Sequence, residues 1–77
     1  MITAPQSRAA RGLLEWSQQQ LAAAANVGLS TVRGFENGTR QPIANNLAAL
    51  QAALESAGVQ FVEAGDTAAG AGVALRG

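Results

Sequence analysis

The sequence lacks cysteine and histidine, and it also contains no lysine and no tyrosine. Without cysteine there are no disulfide bonds and no thiolate metal sites, and such a composition is typical of a reducing compartment. Without histidine, the common zinc ligands and the most frequent general base of acid–base catalysis are missing as well. Schiff-base and phenolic chemistry would require the absent lysine and tyrosine.

Acidic residues are also few, and their spacing is not that of a catalytic site. The sequence contains Glu15, Glu36, Glu55, Glu63 and Asp66. No two of them have a spacing that indicates a paired general acid and general base. We therefore expect that the protein is not an enzyme and that it holds no cofactor and no metal.

Long hydrophobic runs are absent too, and no stretch is apolar enough to span a membrane. The first residues, MITAPQSRAARGLLEW, carry arginines where a signal peptide would have an apolar core. We therefore expect no membrane partner and no secretion, and we expect a location in the cytoplasm.

The residues that are present predict a small folded domain. Of 77 residues, 48% are hydrophobic and only 13% are charged, which favours folding over disorder. A chain of this size is close to the limit at which one core suffices, so a dimer is expected as readily as a monomer. Much of the apolar share is alanine, whose small side chain favours closely packed helices.

The net charge of zero counts against a nucleic-acid binder, but the charges are unevenly distributed. Residues 1–42 contain Arg8, Arg11, Arg33 and Arg40 with Glu15 and Glu36. The remaining residues contain Arg76 with Glu55, Glu63 and Asp66. The basic part of the chain is therefore the N-terminal one.

Capping patterns predict the first two helices. Thr3 or the Ala4-Pro5 pair opens the first helix, because proline is favoured at the start of a helix and a polar side chain before it can cap. Trp16 is expected to close this helix against the core. Ser17 and Gln20 have the spacing of a capping box, which starts the second helix at about Gln18.

The stretch ANVGLST indicates a tight turn between the second and third helices. Asn26 tolerates the left-handed backbone that ends a helix, and Gly28 is expected to cap the next one. Asn37-Gly38 ends the third helix, and Pro42 prevents it from resuming. Two short helices joined in this way cross at a steep angle.

Helical spacing divides these two helices into inner and outer faces. The inner positions are Leu21, Ala22, Ala25, Val32 and Phe35. The outer positions of the third helix are Leu29, Ser30, Arg33 and Gly34. The inner set predicts the contact that holds the two helices together.

The remaining residues predict a fourth helix and a short β-segment. Ile43, Leu47, Leu50 and Leu54 repeat at spacings of three and four, and Gly58 ends the helix. Residues 59–62 and 73–75 favour strands on either side of a loop rich in glycine and alanine (Gly65 to Gly72). A hairpin alone is only marginally stable, so we expect either a hairpin or a frayed tail in this segment, with equal weight.

The segment SQQQLAAAANVGLSTVRGFENGTRQP resembles the phage-repressor-like, XRE-type helix-turn-helix family. The family's pattern is a Ser-Gln start, a Leu-Ala pair, a turn, and a Glu-Asn-Gly end followed by proline, and the segment has all of these. It departs from the pattern at Asn26, where the family usually has glycine, and at Gly28, where a serine cap is usual. The resemblance covers about residues 4–58, and the length and ending are similar to small stand-alone bacterial regulators.

The resemblance implies an all-α fold, a four-helix repressor-like helix-turn-helix domain with a short C-terminal β-hairpin or a tail. Residues 1–58 would form the DNA-binding domain, and residues 59–77 a C-terminal extension that serves as a hairpin or dimerisation element. The helix over about residues 28–37 would lie in the DNA major groove. A homodimer would then regulate transcription from an inverted-repeat operator in double-stranded DNA.

Carried over by position, the resemblance implies a set of DNA-binding residues: Gln18, Leu29, Ser30, Thr31, Arg33, Gly34 and Arg40. Gln18 and Arg40 would contact phosphates, and base reading by hydrogen bonds would depend on Ser30 and Arg33. The resemblance also implies an ion pair between Arg11 and Glu36. If Arg8, Arg33 and Arg40 are the phosphate-binding cations, the slope of log K against log salt for DNA binding by a dimer would be no steeper than roughly −5.

A different class of function stays open at this point. The zero net charge, the alanine-rich surface and the positions of Leu29 and Gly34 favour a protein-interaction module on the same scaffold, such as an antitoxin or an anti-regulator. Gln18 and Arg40, in contrast, favour DNA as the partner of this chain. Such a module would have another protein as its partner.

Overall fold

The computed structural model describes residues 2–62 and 72–75. Its elements in chain order are α1 (Ala4–Leu14), α2 (Gln18–Ala25), α3 (Leu29–Asn37), α4 (Ala44–Ser56), β1 (Val59–Val62) and β2 (Gly72–Leu75). The two strands pair antiparallel, with Val59 opposite Leu75. The all-α helix-turn-helix fold with a C-terminal hairpin is therefore confirmed. Gly72, which the sequence predicts as the end of the loop between the strands, is the first residue of β2. The rest of that loop and the charges of Glu63, Asp66 and Arg76 lie outside the described residues.

Reciprocal capping boxes start the first two helices. The Ser17 hydroxyl accepts a hydrogen bond from the Gln20 amide at 3.0 Å, and the Gln20 side chain accepts one from the Ser17 amide at 2.7 Å. Thr3 and Gln6 form the same pair of bonds at the start of α1, at 3.3 and 3.0 Å. The box at Ser17 confirms the prediction, and Thr3 is the cap of α1.

Residues with left-handed backbone end the first three helices. Asn26 has φ 57° after α2, and Gly38 has φ 84° after α3, as the sequence predicts. Glu15 has φ 58° after α1, so this helix ends at Leu14 and its cap is a glutamate. Trp16 follows that cap as a half-buried side chain packed against the core.

The core joins all four helices and the hairpin. Its fully buried apolar residues are Ala10, Leu21, Val32, Leu50, Leu54 and Val59. Ala10 and Ala22 place small side chains inside the core, which lets neighbouring backbones approach closely. Val59 belongs to the same core, and β2 contacts α1. The first residue of the expected extension is thus packed as part of the helical body.

Two hydrophobic residues differ from the sequence prediction. Its spacing predicts that Ile43 continues the apolar stripe of the fourth helix, but this side chain is 67% exposed. The reason is that Ile43 is the N-cap of α4 with extended backbone (φ −65°, ψ 158°), so helical spacing does not apply to it. Helical spacing predicts Leu29 on the outer face of the third helix, but this side chain is half-buried and packs against the core. The reason is that Leu29 precedes the buried Val32 by three residues and therefore lies on the same side of α3.

Candidate functional site

A buried carboxylate joins α1, α2 and α3. The Glu36 side chain is 1% exposed, and it accepts hydrogen bonds from Arg11 at 2.7 and 2.9 Å, one to each oxygen. Ser7 donates its hydroxyl at 2.5 Å, and Gln18 donates its side-chain amide at 3.1 Å. The ion pair expected between Arg11 and Glu36 is present. The same carboxylate fixes the position of α3 relative to both preceding helices.

The environment of Glu36 acts on its pKa in two opposing directions. Burial raises the pKa, because a charge is poorly solvated inside the protein. The hydrogen bonds from Arg11, Ser7 and Gln18 and the charge of Arg11 lower it, and together they hold the pKa of Glu36 below its ordinary value of 4.5. The ionised form of Glu36 is therefore the one that the folded protein stabilises.

Arg8 also binds the end of α3. Its guanidinium donates a hydrogen bond to the backbone carbonyl of Glu36. A cation is favourable there, because the C-terminal end of a helix carries partial negative charge. Arg8 is exposed, but its guanidinium is thus engaged at the end of α3. Arg33 and Arg40 are the exposed arginines of α3 and of the loop that follows it.

The tight turn between α2 and α3 presents a narrow polar surface. The Val27 amide donates to the Ala22 carbonyl at 3.0 Å, which closes the turn, and Gly28 caps α3 without a side-chain hydrogen bond. Ser30 and Arg33 are exposed on α3, while Thr31 is half-buried. The hydrogen-bonding side chains on this surface of α3 are therefore those of Ser30, Thr31 and Arg33.

Gln18 lies at the first position of α2, and its side chain is part of the internal network. Because its amide nitrogen already donates to Glu36, a phosphate contact by that side chain would compete with this bond. The first turn of a helix also offers backbone N–H groups that lack partners within the helix. The Gln18 side chain, which the resemblance assigns to a phosphate, is therefore committed to the internal network in this structure.

The loop after α3 folds back onto the helix. The amides of Thr39 and Arg40 both donate to the Gly34 carbonyl, at 2.9 and 3.0 Å. Asn37 accepts hydrogen bonds from the amide and the hydroxyl of Thr39, at 3.0 and 2.6 Å. The Arg40 guanidinium reaches the Thr31 hydroxyl at 3.4 Å. Arg40 therefore lies along α3.

The sequence analysis does not predict the part that Gln6 takes in the Thr3 cap or the bond from Ser7 to Glu36, although both have a recognisable signal. Thr3 and Gln6 have the spacing of a capping box. Ser7 and Arg11 are four residues apart, so they share one face of α1 and can meet the same carboxylate. The approach of Arg40 to Gly34 has no such signal, because it depends on how the loop returns.

Within residues 2–62 and 72–75, no helix is long and apolar enough to cross a membrane. The same residues contain no group of three histidine, cysteine, aspartate or glutamate side chains that could hold a metal ion. The candidate site is the surface formed by α3 and the loop that follows it.

Comparison with known families identifies the family of this chain. A family model described as helix-turn-helix matches residues 8–61, which is more than half of the chain. The matched segment contains Glu36 with its partners Arg11 and Gln18, the turn between α2 and α3, and the loop that carries Arg40, whereas Ser7 lies one residue before it. No curated protein matches the sequence.

Proposed function

Because the chain belongs to the XRE-type helix-turn-helix family of DNA-binding regulators, we propose that it is a sequence-specific, homodimeric regulator of transcription. In this proposal α3 lies in the major groove and each subunit contacts one half of an inverted repeat. The observation that carries the proposal is the polar surface of α3, where Ser30 and Arg33 are exposed and Arg40 lies beside them. The protein would act in the cytoplasm together with its DNA.

The side chains of α3 indicate how bases would be read. Residues near the N-terminus of such a helix meet base edges, so Ser30, Thr31 and Arg33 are the proposed hydrogen-bonding contacts. Leu29 is half-buried and can offer only apolar contact, and Gly34 has no side chain. Since these direct contacts are few, the shape and deformability of the operator would contribute to selectivity.

We place the dimer contact on α4. Ala48 and Ala52 are exposed there, and small side chains allow a second helix to approach closely. An apolar groove between α2 and α4, lined mainly by alanines and by Trp16, continues this surface. The hairpin is less suited, because β2 packs against α1 and Val59 is buried in the core of its own chain. For the same reason, deleting residues 59–77 would remove core packing and would not test the dimer.

We expect selection from a randomised duplex library at low salt to enrich a two-fold symmetric motif. The matched control is the double variant Arg33→Ala, Arg40→Ala. Both arginines are exposed, so the variant should keep the circular dichroism spectrum and melting temperature of the parent while it loses the motif. A folded wild-type protein that enriches nothing would contradict the proposal and would support the protein-interaction module.

Salt dependence on the selected duplex is the second readout of this experiment. With Arg8 engaged at the end of α3, two arginines per subunit, Arg33 and Arg40, are available for DNA. The slope of log K against log salt for DNA binding by the dimer should therefore be no steeper than about −4. A measured slope near −10 would reveal a basic surface that this proposal does not include.

A further inference from the structure

We propose that Arg40 reads a base edge in the major groove, from a slot on α3 that exists because residue 34 is glycine. The inference rests on the proposed DNA-binding function and assigns a specificity-determining role to a residue of the loop. The base it fits is guanine, because an arginine guanidinium pairs with the O6 and N7 atoms of guanine through two hydrogen bonds.

The first observation is the space beside Gly34. A Cβ atom built on Gly34 would lie 2.8 Å from the Cβ of Arg40 and 3.5 Å from its Cδ. The stem of Arg40 therefore occupies the place that a side chain at position 34 would take. Because the closest atom is the Cβ of Arg40, which is fixed to the backbone, a larger residue at position 34 would displace the loop.

The second observation is that hydrogen bonds hold the loop in this position. The Gly34 carbonyl accepts the amides of both Thr39 and Arg40, and Asn37 accepts two hydrogen bonds from Thr39. Pro42, two residues beyond Arg40, is buried. The Arg40 stem is therefore anchored to α3 by its own backbone, so less freedom is lost when it binds.

The third observation is the direction of the Arg40 side chain. Its guanidinium lies 3.4 Å from the Thr31 hydroxyl, and Thr31 precedes Gly34 by three residues. In an α-helix, three residues correspond to about 4.5 Å along the axis. The side chain thus runs from the loop towards the N-terminal half of α3, which is the part that meets base edges in a helix-turn-helix complex.

These observations favour base reading over phosphate binding by Arg40. A phosphate contact requires only a positive charge near the backbone of the duplex, so lysine would restore much of it. A base contact requires a donor group held beside a base edge, and the Gly34 slot and the Thr31 hydroxyl hold the planar guanidinium of Arg40 in this way. Arg40 would therefore act as part of the surface of α3, in the place where Gly34 has no side chain.

The experiment compares Arg40→Ala, Arg40→Lys, Gly34→Ala and Gly12→Ala in the full chain. Affinity is measured for the duplex selected by the wild type and for duplexes in which each base pair is replaced in turn. Gly12→Ala is the matched control, because it also adds a methyl group to a helical glycine but meets nothing within 4 Å. The melting temperature of each variant is recorded before binding is measured.

We expect the wild type to prefer guanine at one position of each half-site by about tenfold or more. Arg40→Ala and Gly34→Ala should each reduce that preference to nearly none while the other positions keep theirs, Arg40→Lys should weaken it, and Gly12→Ala should keep all of them. The double variant Gly34→Ala, Arg40→Ala should lose no more than Arg40→Ala alone, because both changes act on one contact.

Two results would overturn this inference while the proposed function stands. One is an Arg40→Ala variant that binds all duplexes more weakly with unchanged preferences, which Arg40→Lys restores, since this is the behaviour of a phosphate contact. The other is a Gly34→Ala variant that keeps the full preference, since the slot would then have no role. A wild type that selects no motif would overturn the proposed function and this inference with it.

Discussion

Replacing Glu36 with alanine is expected to lower the free energy of unfolding by about 3 kcal/mol. The substitution removes the acceptor of hydrogen bonds from Arg11, Ser7 and Gln18. Ser7 is fully buried, and the Arg11 side chain is only 19% exposed, so water replaces the lost acceptor poorly. The value lies at the lower end of the range for a broken buried ion pair, because Arg11 keeps some access to water.

Urea denaturation at pH 7 measures this effect, and Gln19→Ala is its control. Gln19 is exposed on α2, next to Gln18, so its replacement should change the free energy of unfolding by no more than about 0.5 kcal/mol. If Glu36→Ala costs no more than Gln19→Ala, the network does not hold the three helices together in solution.

The pH dependence gives a second readout of the same network, with Glu36→Gln as the variant. Since the pKa of Glu36 is lower in the folded protein than its ordinary value of 4.5, ionised Glu36 stabilises the fold above that pH. The contribution is lost as the pH falls through the lowered pKa. The stability difference between wild type and Glu36→Gln should therefore be constant near neutral pH and shrink below about pH 4.5. A difference that stays constant down to pH 3 would contradict the lowered pKa.

Replacing Leu50 with alanine is expected to cost about 3 kcal/mol in the free energy of unfolding. Leu50 is fully buried at the centre of α4, and its removal takes apolar surface from the core and leaves a cavity. A domain of this size has a total stability of only about 4–12 kcal/mol. The variant should therefore melt at a much lower temperature and should be partly unfolded at low urea concentration.

Ile43→Ala is the matched comparison for Leu50→Ala, because both residues belong to the same apolar repeat in the sequence. Ile43 is 67% exposed, so its truncation should change the free energy of unfolding by no more than about 0.5 kcal/mol. Thermal and urea denaturation of the two variants provide the test. Equal losses at the two positions would show that Ile43 is buried in solution, for example by a partner subunit.

The sequence predicts the ends of the helices where the signal is local. The capping box of Ser17 and Gln20 and the left-handed residues Asn26 and Gly38 depend on neighbours within a few residues, so they can be recognised without the fold. Ile43 could not be assigned in this way. Its spacing fits the stripe, and only the observed start of α4 at Ala44 shows that it precedes the helix.

In the candidate site too, some contacts can be predicted from the sequence and others are seen only in the structure. The pairing of Arg11 with Glu36 follows from the family resemblance, but the convergence of Ser7, Arg8 and Gln18 on the same residue requires the packing of α1 and α2 against α3. The contact of Arg40 with Gly34 depends on the path of the loop, which no periodicity encodes. The sequence thus predicts which residues are polar and exposed on α3, and the structure adds which of them are held in place.

The contact between α1 and β2 has a consequence for biosynthesis. These elements are far apart in the sequence, and a ribosome produces α1 first and β2 much later. The helices can form as they emerge, but β1 gains its pairing partner only when residues 72–75 have been made. The completed fold is therefore reached only after residue 75 has been added to the growing chain. Nascent chains stalled before β2 should be more sensitive to proteases than the released protein, although all four helices have then been synthesised.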